Sequence, residues 1–127
     1  MTELLKLTAV VEAPPERVAE VLLAVRPDGV TGDEFVITDR GSRITVTVDR
    51  AARSVSRQGE WWYRGVTSVE PDPRGSRVVH RIFNVAPKNG WAVRFVSRGP
   101  LNAAPASFAE TVRDLGEQLG VKAWVID

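Results

Sequence analysis

The sequence predicts a single α+β domain over residues 1–127: an antiparallel sheet of six or seven strands, one helix directly after the first strand, and a long helix near the C-terminus. Three observations carry that prediction. Apolar residues alternate at period two from residue 3 to 12 and again in several runs between 34 and 85. The turns between the later runs are too short for crossover helices, so neighbouring strands must run antiparallel. Phe108, Val112, Leu115 and Leu119 then stand at i, i+4, i+7 and i+11, the stripe of an amphipathic helix.

The elements follow in order. Leu5, Leu7, Ala9 and Val11 share one face of the first strand. Pro14 and Pro15 stop it, and a proline suits the first helical turn, where its missing N–H removes no bond. Val18, Val21, Leu22 and Val25 give the helix an apolar side, and Arg26-Pro27-Asp28-Gly29 ends it. Strands are predicted at 34–39, 43–49, 53–57, 60–70 and 76–85, the last two joined by the turn Pro71-Asp72-Pro73-Arg74-Gly75. Residues 88–98 fit two readings equally: Trp91, Val93 and Phe95 as a seventh strand, or Trp91 and Phe95 on one helical turn. A helix is predicted from about 105 to 119, with Ser107 and Glu110 as a capping box and Gly120 just past its end. The tail VKAWVID is apolar enough to pack, with no predicted place.

Composition narrows the function classes. Hydrophobic residues are 43% and charged residues 26%, which is ordinary for a water-soluble globular chain. A net charge of +1 gives no case for a nucleic-acid partner. No apolar run approaches a membrane span, and no membrane partner is expected. The opening MTELLKLTAVVEA is short, is interrupted by Lys6 and lacks a basic lead, unlike a signal peptide. The chain has no cysteine, which excludes disulfide and thiolate chemistry and makes the reducing cytoplasm the default location. Lys6, Lys88 and Lys122 are the only lysines, so 17 − 3 = 14 of the basic residues are arginine, a bias expected of a GC-rich bacterial gene.

Two stretches resemble a known superfamily. AVVEAPPERVAEVL is similar to the opening strand, proline pair and first helix of the SRPBCC proteins, the START/Bet v 1-like helix-grip group that includes polyketide cyclase/dehydrase-like members. VTSVEPDPRGSRVVHRI is similar to that group's late hairpin: a strand ending in Glu-Pro, a glycine turn, a small hydroxyl residue and a valine-rich strand. The resemblance covers most of residues 5–119, and departs where family members often carry an aromatic and this chain has Ala19. It implies a helix-grip fold, with a curved sheet wrapped around the C-terminal helix and an apolar ligand between them.

Alternation selects the residues that would face such a space. On the 60–70 strand, Trp61, Tyr63, Gly65, Thr67 and Val69 form the uncharged side; on 76–85, Val78, His80, Ile82 and Asn84 do. Ile44, Val46 and Val48 join them, and Phe108, Val112 and Leu115 face them from the helix. The expected ligand-binding set is Trp61, Tyr63, Thr67, His80, Ile82, Asn84, Phe108, Val112 and Leu115. A buried polar group without a partner costs about 1–3 kcal/mol. Tyr63, Thr67, His80 and Asn84 on one inner face therefore point to water or ligand there; a solid core in which they bond one another is the alternative. The opposite face, with Trp62, Val66, Val79, Phe83 and Val85 beside Arg64, Arg77 and Arg81, reads either as arginine stems over apolar side chains or as a homodimer or partner surface.

Few catalytic patterns occur. One histidine and no cysteine speak against a metal site, and neither phosphate-loop nor nucleotide-fold glycine spacing is present, so no cofactor is expected. Asp33, Glu34, Glu60 and Glu70 read as solvated charges. His80 and Tyr63 are the candidate acid/base groups. The leading expectation is a domain that binds a small, largely apolar molecule. An aromatase/cyclase-like or hydrolase enzyme using the same space, and a non-catalytic interaction domain, are the alternatives.

Overall fold

Two prolines set the first change of direction. In the computed structural model, which describes residues 1–126, strand β1 (Thr2–Val11) stops just short of Pro14, which is extended with φ −60° and ψ 148°. Helix α1 (Pro15–Leu23) starts at Pro15, and the Pro14 carbonyl accepts the Arg17 and Val18 N–H groups. Val18, Ala19 and Leu23 are the buried side of α1.

The meander follows as β2 (Glu34–Asp39), β3 (Ser42–Asp49), β4 (Ser54–Gln58), β5 (Tyr63–Asp72) and β6 (Gly75–Asn84). The seven-stranded antiparallel sheet has the order β2-β3-β4-β5-β6-β1-β7, where β7 (Ala123–Ile126) is the tail that had no predicted place. β7 pairs with β1, from Val11–Ala123 to Thr8–Ile126, and Asp127 lies outside the described residues. A register shift between Glu3 and Leu5 interrupts the β1–β6 ladder. Such irregularities bend and twist a strand.

The two family-like stretches meet in space. The Ser76 hydroxyl, fully buried, donates to the Ala13 carbonyl at 2.6 Å. Gly75, at φ +132°, lies so close to this junction that a Cβ there would stand 2.7 Å from the Val11 oxygen and 2.8 Å from the Ala13 nitrogen. The proline turn and the glycine of the late hairpin are two halves of one contact. It anchors α1 against the end of the sheet.

Three expectations need correction. The first settles the two readings of residues 88–98 in favour of a helical turn and against a strand: Gly90–Ala92 is a 3-10 turn and α2 (Val93–Val96) a single helical turn, with Trp91 and Phe95 exposed. Helix α3 runs from Arg98 to Leu119, about two turns longer than predicted. Pro105 stands inside it, and the Ser107 carbonyl accepts the Thr111 hydroxyl in mid-helix, where the expected capping box is not needed. The other end is as expected: Gly120 at φ 67° ends α3, with Gly120 N–H donating to Glu117 and Val121 N–H to Gly116, a Schellman closure. The third correction concerns β5, which starts at Tyr63; Trp61 and Trp62 lie in the bend before it.

α1 and α3 cover the same face of the sheet. α3 makes its main contacts with β1, β7 and α1. The core beneath is Ala9, Val11, Val18, Leu23, Val69 and Val78, with Phe108, Val112 and Leu115 from α3. This arrangement is the seven-stranded form of the α+β fold predicted above, with a helix after β1 and a long helix near the C-terminus. Among the described residues no helix is long and apolar enough to cross a membrane.

Candidate functional site

Strand register sorts the helix-bearing face into rows. Ala9, Val78 and Val69 form the first, packed under the helices. Leu7, His80, Thr67, Val55 and Val48 form the second. Ile82, Gly65, Arg57, Val46 and Phe35 form the third. Over the second and third rows the space is open: a cleft of about 710 Å³ lies between the sheet, α1 and α3, lined along α3 from Pro100 to Gln118.

α3 lines the cleft with small side chains in its early turns and with Phe108, Thr111, Asp114, Leu115 and Gln118 further on. Where α3 closes the core it presents Phe108, Val112 and Leu115. One to two turns earlier it presents Pro100, Ala103, Ala104 and Ser107 to the cleft. Val21, Leu22 and Val25 wall the α1 side, and Phe35, Ile37, Val46 and Val55 the floor.

Polar groups stand at defined places. Thr67 Oγ1 and His80 Nδ1, on paired residues of β5 and β6, are 2.8 Å apart. Either the hydroxyl donates to Nδ1 or Nδ1–H donates to the hydroxyl, and each choice fixes the tautomer. The imidazole stacks on Phe108, with centroids 6.1 Å apart and planes at 21°. Burial, and secondarily the Arg57 charge, push the His80 pKa below its ordinary value, so the ring is neutral at pH 7. Burial raises the Tyr63 pKa, against a weaker opposite pull from Arg57, so the phenol keeps its proton. The Tyr63 ring folds back across Gly65: a Cβ on Gly65 would stand 2.6 Å from the phenol oxygen. Glycine is what lets this ring lie flat on the floor of the cleft.

Two arginines line the cleft and differ in state. Arg26 donates to the carbonyls of Leu23, Val25 and Gly32 and to Asp33, and its guanidinium lies 5.3 Å from the centre of the Phe35 ring. It holds the 24–33 loop against the end of α1. Asp33 also pairs with Arg50 through two bonds of 2.9 Å, and these arginines hold its carboxyl below the usual range. Asp33 is thus a solvent-exposed charge, as the sequence suggested, that also joins an ion network. Arg57 is exposed and has no partner of this kind among the described residues.

Of the expected binding set, the structure brings Tyr63, Thr67, His80, Ile82, Phe108 and Leu115 to the cleft. Three are elsewhere. Trp61 sits outside β5, 36% exposed, and its indole N–H donates to the Lys88 carbonyl. The strand alternation that turned it inward does not extend past Tyr63. Asn84 is on the expected face but its amide is occupied: it donates to Gly90 and accepts from the Ala86 N–H. Val112 is buried in the closed core. The polar quartet is therefore split. Thr67 and His80 bond each other and Asn84 bonds backbone, while the Tyr63 hydroxyl has no hydrogen-bond partner among the described residues.

Arg57, Arg26, Phe35 and Ile37 were missed. The alternation of Phe35 with Ile37 was legible in EFVITD, and that of Val55 with Arg57 in RSVSR, but only the register ties either to His80. On the opposite face, Val79 is 1% exposed, and Trp62, Val66, Phe83 and Val85 are partly covered. These five residues do not form an exposed apolar patch, in keeping with side chains lying over one another there.

No protein-family model and no curated protein matches the chain. Among solved structures it is similar to TTHA0849 from Thermus thermophilus, at 18% identity and a TM-score of 0.41, over 75% of this chain and 85% of that one. It is also similar to the Bacillus halodurans protein BH1534, at 14% identity and a TM-score of 0.46, over 82% of this chain and 94% of that one.

Proposed function

We propose that this chain is a helix-grip protein of the SRPBCC kind that binds a small, largely apolar molecule in the cleft between the sheet, α1 and α3. The observation that carries the reading is the cleft itself, about 710 Å³ and within the range typical of small-molecule sites. Apolar contact supplies most of the affinity: burying about 200 Å² of ligand surface contributes roughly 5 kcal/mol before the cost of association. The Tyr63 hydroxyl and the neutral His80 ring orient the ligand.

The test is titration with the uncharged dye N-phenyl-1-naphthylamine, whose fluorescence rises in apolar surroundings. Saturable enhancement is expected, weakened in His80→Ala and abolished in Ala104→Leu, which fills the cleft. None of the four tryptophans lines the cleft, so dye emission and not intrinsic fluorescence is the readout. A wild-type protein that leaves the dye dark overturns the reading.

A further inference from the structure

The cleft has one charged group with nothing to do. Arg26, Arg57 and Asp114 are its charged lining residues. Arg26 is spent on the 24–33 loop, with four acceptors and an aromatic ring around it. Asp114, on α3, has Arg113 as its near cation at 4.0 Å and no ion pair with Arg57. Arg57 has no carboxylate within 4.0 Å among the described residues.

Its position is central, not peripheral. Register sets Arg57 between Val46 on β3 and Gly65 on β5, in the row that also holds Phe35 and Ile82. Gly65 is the residue over which the Tyr63 ring folds, so the phenol oxygen rests above the strand position paired with Arg57. The Arg57 charge acts on both Tyr63 and His80. A guanidinium and a phenol O–H, both donors and both without a charged protein acceptor, therefore line one cleft from paired strand positions. Thr67 engages His80 and does not compete for them. An arginine fork matches two oxygens on one carbon better than a single hydroxyl or carbonyl.

We propose that the ligand of this cleft is an apolar carboxylic acid, its hydrocarbon part along Phe35, Val46, Ile82 and α3, and its carboxylate received by the Arg57 guanidinium and the Tyr63 hydroxyl. This rests on the binding reading above and narrows it to one chemical class. A neutral lipid would leave Arg57 unanswered; an acid without an apolar body would leave the floor wet.

The experiment is displacement of N-phenyl-1-naphthylamine by dodecanoate and by 1-dodecanol, below the concentrations at which either aggregates. Wild type is expected to bind dodecanoate about ten-fold or more tighter than dodecanol. In Arg57→Gln the preference disappears because dodecanoate loses far more affinity than dodecanol does, while the circular dichroism spectrum stays unchanged. Arg57 is exposed, so the variant tests the ligand and not the fold. Arg57→Lys keeps part of the preference, because the charge remains and the fork is lost. Equal affinity for the two probes in wild type, or an intact preference in Arg57→Gln, overturns the acid assignment and leaves the apolar site standing. Dye that binds but yields to neither probe overturns the assignment as well. Dye that does not bind at all overturns the parent reading, and the acid with it.

Discussion

Two glycines in the same hairpin, Gly65 and Gly75, show how differently the two ends of this sheet are built. Gly75 meets backbone: a Cβ would press on the Val11 oxygen and both the nitrogen and oxygen of Ala13. Gly65 meets the tip of a side chain, the Tyr63 phenol, which borders open space. One end is closed by main chain that cannot yield, and the other by a ring that can. Stability and binding capacity are thus assigned to different ends of β5 and β6, and α3 serves both, with Phe108 and Leu115 in the core and at the cleft wall alike.

That contrast can be broken experimentally. The largest effect is expected from Gly75→Ala. At φ +132°, with three backbone atoms under 3.0 Å, it should cost about 3 kcal/mol or more, read as a lowered urea midpoint or loss of the folded state. Ser76→Ala comes next. It strands the buried Ala13 carbonyl and should cost about 1–3 kcal/mol in the same assay. Gly65→Ala is the matched control at the open end: a stability change within about 1 kcal/mol, because Tyr63 swings away, but weaker dye binding as the ring enters the cleft. If the two glycine variants cost the same, the division of labour fails.

The smallest effect is one of pH. The folded-state pKa of His80 is depressed, so the unfolded chain takes up its proton first. Stability from this group is complete above about pH 6.5, falls as pH drops below that value, and levels off once the folded ring itself is protonated. His80→Phe, which keeps a ring against Phe108, should flatten the urea midpoint between pH 7 and pH 5. A wild-type midpoint that rises over the same interval would contradict the assignment.

The closed end was the more legible of the two. The proline pair, the Pro-Asp-Pro-Arg-Gly turn and the Phe108/Val112/Leu115 stripe are local signals, and each one lies where the pattern puts it. The carboxylate of Asp72 shows how strong that turn is. Arg74 and Arg77 cover it until its side chain has no exposed surface, although it stands at the rim of the sheet. Their hydrogen bonds, led by Arg74, hold its carboxyl well below the usual range.

At the open end the signals are non-local. The helix is predicted only from about residue 105, so the small residues of early α3 that line part of the cleft, Pro100, Ala103 and Ala104, do not read as helical. Trp61 follows the alternation of β5 in sequence but not in space. Arg57 sits on a five-residue strand whose inner face is Val55 and Arg57, too short a pattern to rank above its neighbours. Its importance comes from what it lies beside, and that is set by pairing with β3 and β5. β7 needed a partner, β1, from the opposite end of the chain.

That last pairing has a kinetic consequence. β1 sits between β6 and β7, and the Ala13 junction that follows it is bonded to a serine 63 residues away. During synthesis β1 must therefore wait, unpaired, while the whole meander leaves the ribosome. A fold so rich in distant pairings reaches its native state slowly, and the nascent β1 edge is the segment most in need of a chaperone.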